Sequence, residues 1–389
     1  MSKNGFSLKS ASDVLKQFCQ QAVKQNIALR DQQQYLDEEI KQSLIDAGLM
    51  GIEINRDYFQ RSDKALFDDA LPFSGAVLMI QEVSKVDPGV AVFLHVHNIL
   101  FNKILQQFGS DNQKSQWLPK VATGAVGAFA VTEPQAGSDL SLMETSAKRI
   151  DAGYEINGIK TWITNAGEAQ VMLLIANTEL ECGRKVPSAF LVDTALPGIS
   201  ISQNIPKMSV RASSTCRVTM DQVIVPESAL VGAQNQGVDI ANYGLCMGRI
   251  GIAAQMLGIS EGALSLAVEY ANERVAFKHK TSEFQGVSFP LAQVCAEVSV
   301  LKPFIYQLAK KAELGHSSTQ LLDEANKAKL VASQLADRAT SAALETLGGN
   351  GVALDYDVEK LFRDAKVGKI YEGTVNILLR SIASRMFNC

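Results

Sequence analysis

No run of apolar residues in the 389-residue chain approaches the ~20 needed to span a bilayer. The opening Met1-Ser-Lys-Asn-Gly-Phe-Ser lacks the apolar stretch of a secretory signal. Its six cysteines (Cys19, Cys182, Cys216, Cys246, Cys295, Cys389) are scattered, with no Cys-x-x-Cys pair, which argues against a zinc site and against a disulfide framework. These absences together give the expectation of a cytoplasmic protein with no membrane partner. A net charge of −4 offers no basic footprint, so nucleic acid is not expected as a partner. The phosphate-binding Gly-x4-Gly-Lys-Ser/Thr is missing, as is a strand followed by Gly-x-Gly-x-x-Gly, and there is no Gly-x-Ser-x-Gly elbow. P-loop, Rossmann and α/β-hydrolase chemistry therefore lack support.

What is present has three textures. From about residue 7 to 122 the apolar spacing is helical: Leu36, Ile40, Leu44, Ile45 and Leu49 share a face, and 76–84 and 90–108 read alike. From about 123 to 232 short β-rich runs alternate with Gly and Pro, and Asn157-Gly158 predicts a type I′ hairpin between two of them. From about 236 the chain is helical again, with Ile250, Ala253, Ala254 and Leu257 at i, i+3, i+4, i+7 and Leu264 and Val268 continuing the stripe. Helices, strands, then helices predict a three-part α+β plan, bounded at 1–122, 123–235 and 236–389. That division also suits the length, which is long for one compact core.

Candidate chemistry is concentrated in a few segments. His95-Val-His97 suggests metal, but two residues apart on a helix they diverge by ~200° and no third ligand is near, which favours packing. Ala128-Phe-Ala-Val-Thr-Glu-Pro-Gln-Ala-Gly-Ser-Asp139 is a strand running into a turn, where backbone N–H groups and the hydroxyls of Thr132 and Ser138 suit a flat heteroaromatic or a phosphate. An N-cap and turn is the plainer reading. Trp162, one of two tryptophans, is either core or a cofactor platform. Leu347-Gly-Gly-Asn-Gly351 is a helix C-cap or a close-approach loop. In Lys369-Ile-Tyr-Glu-Gly-Thr374, Glu372 precedes an apolar helix, where its charge would also suit the helix dipole.

In order and spacing these segments resemble the acyl-CoA dehydrogenase family over nearly the whole chain, and its short-chain (butyryl-type) members most. Thr-Glu-Pro-x-Ala-Gly-Ser-Asp together with Tyr-Glu-Gly-Thr carries the resemblance. Arg211–Cys216, Met247–Ala254 with Leu257–Ser260, and Tyr356–Lys366 support it. The resemblance implies an N-terminal helical domain, a middle β-barrel-like domain and a C-terminal four-helix bundle. It also implies a homotetramer and FAD between sheet domain and bundle. Phe129, Val131, Thr132 and Ser138 would line the isoalloxazine site, with Trp162 and Thr164 against the ring. Arg274, Gln285 and Leu347, Gly348 and Gly349 would meet FAD from an adjacent subunit, and Thr374 and Asn376 its nucleotide part. Ser138, Arg249 and Gly373 would face the acyl thioester.

Glu372 would be the base that removes the α-proton while the β-hydrogen passes as hydride to flavin N5. Hydrogen bonds to the thioester carbonyl would stabilise the developing oxyanion. Some family branches place the base immediately before the bundle arginine; here that residue is Gly248, which leaves Glu372. Three departures stand out: Cys246 where the family has a substrate-contacting Asp, Lys278 in place of a Gly, and Glu345 in place of a Gln. The implied substrate is an acyl-CoA, and the implied electron acceptor a partner such as an electron-transfer flavoprotein. Alternatives are a dehydrogenase or oxidase on an acyl-carrier-protein thioester, or a flavin-binding scaffold without turnover.

Overall fold

The computed structural model describes residues 7–387. Helices α1 (Leu8–Phe18), α2 (Ile27–Gln33), α3 (Glu38–Asp46), α4 (Phe73–Ser84), α5 (Pro88–His95), α6 (Lys103–Phe108) and α7 (Asp111–Ala122) form the first region. Their starts follow sequence chemistry. Asp37 caps α3 by accepting from Ile40 N–H, and Ser110 with Gln113 forms a capping box on α7. Leu36, Ile40, Leu44 and Leu49 are all buried, as their spacing requires. Every residue of α4 and α5 is buried, so these two helices are core on all sides. α5 does not stop at His95. It runs through a wide π-helical segment, Val96–Asn102, into α6. Such segments recur at functional sites, and this one follows directly on a histidine.

The middle region is a sheet of β1 (Val126–Ala130), β2 (Ser146–Ile150), β3 (Gly153–Thr164), β4 (Ala169–Glu179), β5 (Lys185–Asp193), β6 (Ile199–Ile201), β7 (Thr215–Val225) and β8 (Leu230–Val231). Its order is β6-β7-β3-β2-β4-β5-β8, with β1 parallel to β4. The hairpin expected at Asn157-Gly158 is not there. β3 runs straight through both residues, and the reversal lies at Asp151-Ala152, between β2 and β3. A Cβ on Gly158 would stand 2.7 Å from Thr145 Cα, and the β3–β7 register slips at this point. The glycine marks a bulge and a close backbone approach, which local sequence does not distinguish from a turn.

The third region holds α8 (Gly237–Glu273), α9 (Gln285–Glu313), α10 (Ser318–Leu347), α11 (Val358–Ala365) and α12 (Val375–Phe387). α8 is long and apolar enough to cross a membrane by length and composition, but 78% of its most apolar window is buried inside the protein. It is the central rod of the bundle. Gly258 and Gly262 bring it against α4: a Cβ on either would meet the carbonyl oxygen of Gln81 at 2.2 Å or of Lys85 at 2.4 Å. Ile250, Ala253, Ala254 and Leu257 are buried beneath that cover, whereas Val268, expected on the same stripe, is exposed. α4 ends at Ser84, and its C-cap Lys85 lies beside Gly262, so the cover has run out.

One buried ion cluster fastens the three regions. Asp87, the N-cap of α5, accepts from Arg30 at 3.1 Å and from Lys360 of α11 at 2.9 Å. Asp364, bound to Lys360 at 2.6 Å, also accepts from Val210 N–H of the sheet region. This cluster fixes α5, which ends on His95, relative to the bundle.

Candidate active site

Glu372 is not in a helix. It lies three residues before α12 with φ at 49°, and Gly373 follows at 101°. A glutamate in the left-handed region is uncommon and costs roughly 1–3 kcal/mol, so the surrounding structure has to enforce it. Two buried cations do so. Arg249 Nε of α8 donates to the Glu372 carbonyl at 3.0 Å, and Lys329 Nζ of α10 donates to the Gly373 carbonyl at 2.7 Å. Asn326 Oδ1 holds Arg249 Nη1 at 2.7 Å, and the Tyr371 hydroxyl donates to Gln255. The helix-dipole role that the sequence allows for Glu372 is excluded, because its backbone turns the side chain away from α12.

The carboxylate enters a recess between α5 and α8. Oε1 sits 2.5 Å from His95 Nε2, while Oε2 is buried with no partner. Gly248 makes the space, since a Cβ there would lie 2.1 Å from Oε2. Burial pushes Lys329 down to about 7, with Glu372 opposing that shift and Arg249 adding to it. Burial likewise lowers Arg249, again opposed by Glu372. The base candidate thus sits among charges held out of water.

At the strand end, Lys160 Nζ donates to the Val131 carbonyl at 2.9 Å and to Glu133 Oε1 at 2.8 Å, both side chains being buried. Burial pushes Lys160 down to about 8 against the pull of Glu133. Burial alone would raise Glu133, but Lys160, Thr145 and the Glu144 N–H hold it below the usual carboxylate range. Glu133 is therefore the anchor of the turn and not a ligand. Thr161 N–H donates to the Thr132 carbonyl at 2.9 Å, placing Thr132 beside Trp162. Trp162 has φ 59° within a register slip of β3 and is 59% exposed, so its indole is free to face a ligand. Ser138 is exposed, Thr164 half-buried, Val131 buried, and Phe129 packs towards Gly244 of α8. A free aromatic face, nearby hydroxyls and an open turn fit a flat ring such as that of FAD.

Arg274 ends α8 and Gln285 begins α9, both exposed. Between them a short hairpin carries Phe277 at its tip, 89% exposed. Phe277 and Lys278 have φ of 50° and 71°, a two-residue turn that favours glycine. The family's Gly at Lys278 is thereby explained by backbone conformation, with the substitution accepting strain. Leu347 is buried, and Gly348 and Gly349 face open space as the C-cap of α10. Thr374 caps α12, its Oγ1 accepting from Ile377 N–H at 3.4 Å. With Asn376, Lys369 and Gln334, Thr374 also lines an open cleft of about 330 Å³. Cys246, taken from the sequence as a substrate contact, is fully buried, and its thiol donates to the Ser318 carbonyl. It faces the bundle interior because position 246 is on the packed side of α8.

The models of the acyl-CoA dehydrogenase N-terminal, middle and C-terminal domains match residues 8–125, 128–223 and 235–387. The chain belongs to the acyl-CoA dehydrogenase family. It is 37% identical to the mitochondrial short/branched chain specific acyl-CoA dehydrogenase of Rattus norvegicus over 96% of this chain and 84% of that one. Butyryl-CoA dehydrogenase from Megasphaera elsdenii superposes with a TM-score of 0.91 at 32% identity, covering 100% of both chains. A glutaryl-CoA dehydrogenase from Mycobacterium smegmatis in complex with FADH2 gives 0.89 at 25% identity, covering 98% and 95%. As a family member the chain is an FAD-dependent oxidoreductase acting on a CH–CH bond.

Sequence reasoning set His95 aside and did not find Lys329 or Asn326. The latter two were detectable: both interrupt the buried stripe of Ala325, Ala328, Ala332 and Ala336 on α10, where polar side chains need partners.

Proposed function

We propose that the chain oxidises a short acyl-CoA to its trans-2-enoyl thioester, with Glu372 as the base. The observation that carries this reading is the Glu372 carboxylate itself: enforced on strained backbone, sealed from water, and left with one oxygen unpartnered beside Gly248. The other family position for a base is that glycine.

FAD, when bound, supplies the hydride acceptor. Trp162, Thr164, Thr132 and Ser138 would hold its ring, and Thr374 and Asn376, on their cleft, its nucleotide part. Arg249 and Lys329 fix the backbone that carries the base, and Arg249, Ser138 and Gly373 face the acyl thioester. The exposed Phe277 hairpin and the open glycines at 348 and 349 suit a homotetramer in which Arg274, Gln285 and the 347–349 turn reach a neighbour's FAD. An electron-transfer flavoprotein is the proposed acceptor. A structure titled for the electron transferring flavoprotein of Acidaminococcus fermentans aligns at 31% identity with a TM-score of 0.91.

The test is anaerobic titration of purified holoenzyme with butyryl-CoA. Wild type should bleach its flavin, and Glu372→Gln should keep FAD yet lose bleaching by several orders of magnitude. Bleaching by Glu372→Gln within tenfold of wild type would place the base elsewhere.

A further inference from the structure

His95 is fully buried and the Glu372 side chain nearly so. The two side chains are 0% and 9% exposed, and Nε2 and Oε1 are 2.5 Å apart. Among the described residues, His95 is the one side chain hydrogen-bonded to that carboxylate, for Arg249 and Lys329 are engaged with backbone carbonyls. The remaining atoms of the pair, His95 Nδ1 and Glu372 Oε2, are both buried without partners.

Two glycines one turn apart on α8 form the recess. A Cβ on Gly248 would stand 2.1 Å from Glu372 Oε2, and one on Gly251 2.6 Å from His95 Nδ1. Any larger residue at either position would displace one member of the pair. The Gly248-Arg-Ile-Gly251 segment is thus shaped around both.

An ionised carboxylate only accepts, so Nε2 carries the imidazole proton and Nδ1 is a bare acceptor. That tautomer is the cheaper one, because an unfilled acceptor is tolerated more readily than a buried N–H without a partner. Oε1 is then committed, and Oε2 is the oxygen with a free lone pair.

We propose that His95 is the positioning residue of the base: its Nε2–H holds Glu372 Oε1 and so presents Oε2 as the atom that takes the substrate's α-proton. This rests on reading Glu372 as the base. The step moves one proton: the α C–H bond breaks, Oε2–H forms, and the C–H electron pair stays with the substrate. His95 keeps its proton throughout. The groups facing the carboxylate are the His95 ring from α5, Arg249 from α8 and Lys329 from α10, with the Tyr371 hydroxyl directed to Gln255. Of these, only His95 touches a carboxylate oxygen.

The experiment compares His95→Leu, which removes the donor, with His95→Gln, whose amide N–H reaches a similar point. His95→Leu should slow anaerobic flavin reduction at saturating butyryl-CoA by roughly 10- to 100-fold, the scale of one charge-assisted hydrogen bond. The half-saturating concentration should stay unchanged. His95→Gln should restore most of the rate. If His95→Leu does not fold, His95→Asn, too short to reach Oε1, takes its place. A second readout needs no cofactor: in apo-protein, the thermal effects of His95→Leu and Glu372→Gln should be non-additive. A His95→Leu rate within threefold of wild type, no rescue by His95→Gln, or additive thermal effects overturns the proposal. Glu372→Gln that still bleaches removes the base reading itself, whereas an inert Glu372→Gln beside a fully active His95→Leu removes only the role of His95.

Discussion

Gly248 and Glu372 share one volume: a Cβ on the glycine would lie 2.1 Å from Oε2 and 2.9 Å from the carboxyl carbon. A single methyl group therefore decides whether the base occupies its recess. Gly248→Ala should leave the fold and FAD content close to wild type, since alanine favours the α8 helix. It should reduce flavin bleaching by butyryl-CoA by at least ~100-fold, as expected when a reacting group is displaced by about 1 Å or more. Absorbance scans before and after substrate give both quantities. Unimpaired bleaching would show that the carboxylate works from outside the recess.

Lys160 and Glu133 form a buried pair beneath the turn that carries Thr132 and Ser138. Removing one member leaves a buried charge, which costs about 3–5 kcal/mol. Lys160→Met should destabilise the protein on that scale in urea unfolding and lower the FAD bound per chain. Adding Glu133→Gln should recover part of the loss, because no buried charge is left and the single amide oxygen still accepts from one of the Glu144 and Thr145 N–H groups, which in wild type bind different carboxylate oxygens. A single variant within about 1 kcal/mol of wild type would contradict the anchoring role.

Burial pushes Lys329 from its ordinary 10.5 to about 7. Below about pH 7 both the folded and unfolded chains hold this proton, and the full cost of burying the charge is present. Between about 7 and 10.5 the unfolded chain binds the proton that the folded chain has released, so the contribution of Lys329 to stability rises with pH. The slope is at most about 1.4 kcal/mol per pH unit. Lys329→Met should accordingly compare best with wild type near pH 6 and lose ground towards pH 9. Urea unfolding of both proteins across that range reads the difference; a difference independent of pH would mean that Lys329 keeps its charge throughout.

The regions and their order were legible because apolar periodicity is local. Leu36, Ile40 and Leu44 announce a buried helix face without reference to anything distant. Asn157-Gly158 was not legible, because its glycine answers to the Thr145 backbone and not to a turn of its own. Val268 belongs to the apolar stripe of α8 by spacing, but α4 stops before reaching it. Cys246 drew attention by its position in a family pattern, yet which side of α8 is covered depends on the neighbouring helices.

By itself the sequence determined the family, the three-part fold, the expectation of FAD and Glu372 as the residue to watch. Those follow from motif identity and from short-range spacing along one chain. Only the tertiary structure decided that Glu372 stands on left-handed backbone pinned by Arg249 and Lys329, and that His95 is its neighbour. His95 and Glu372 are 277 positions apart. Their contact exists because a buried ion cluster fixes α5 against the bundle and two glycines of α8 omit the atoms that would fill the space between them. Contacts of that range depend on packing, which one-dimensional periodicity does not encode.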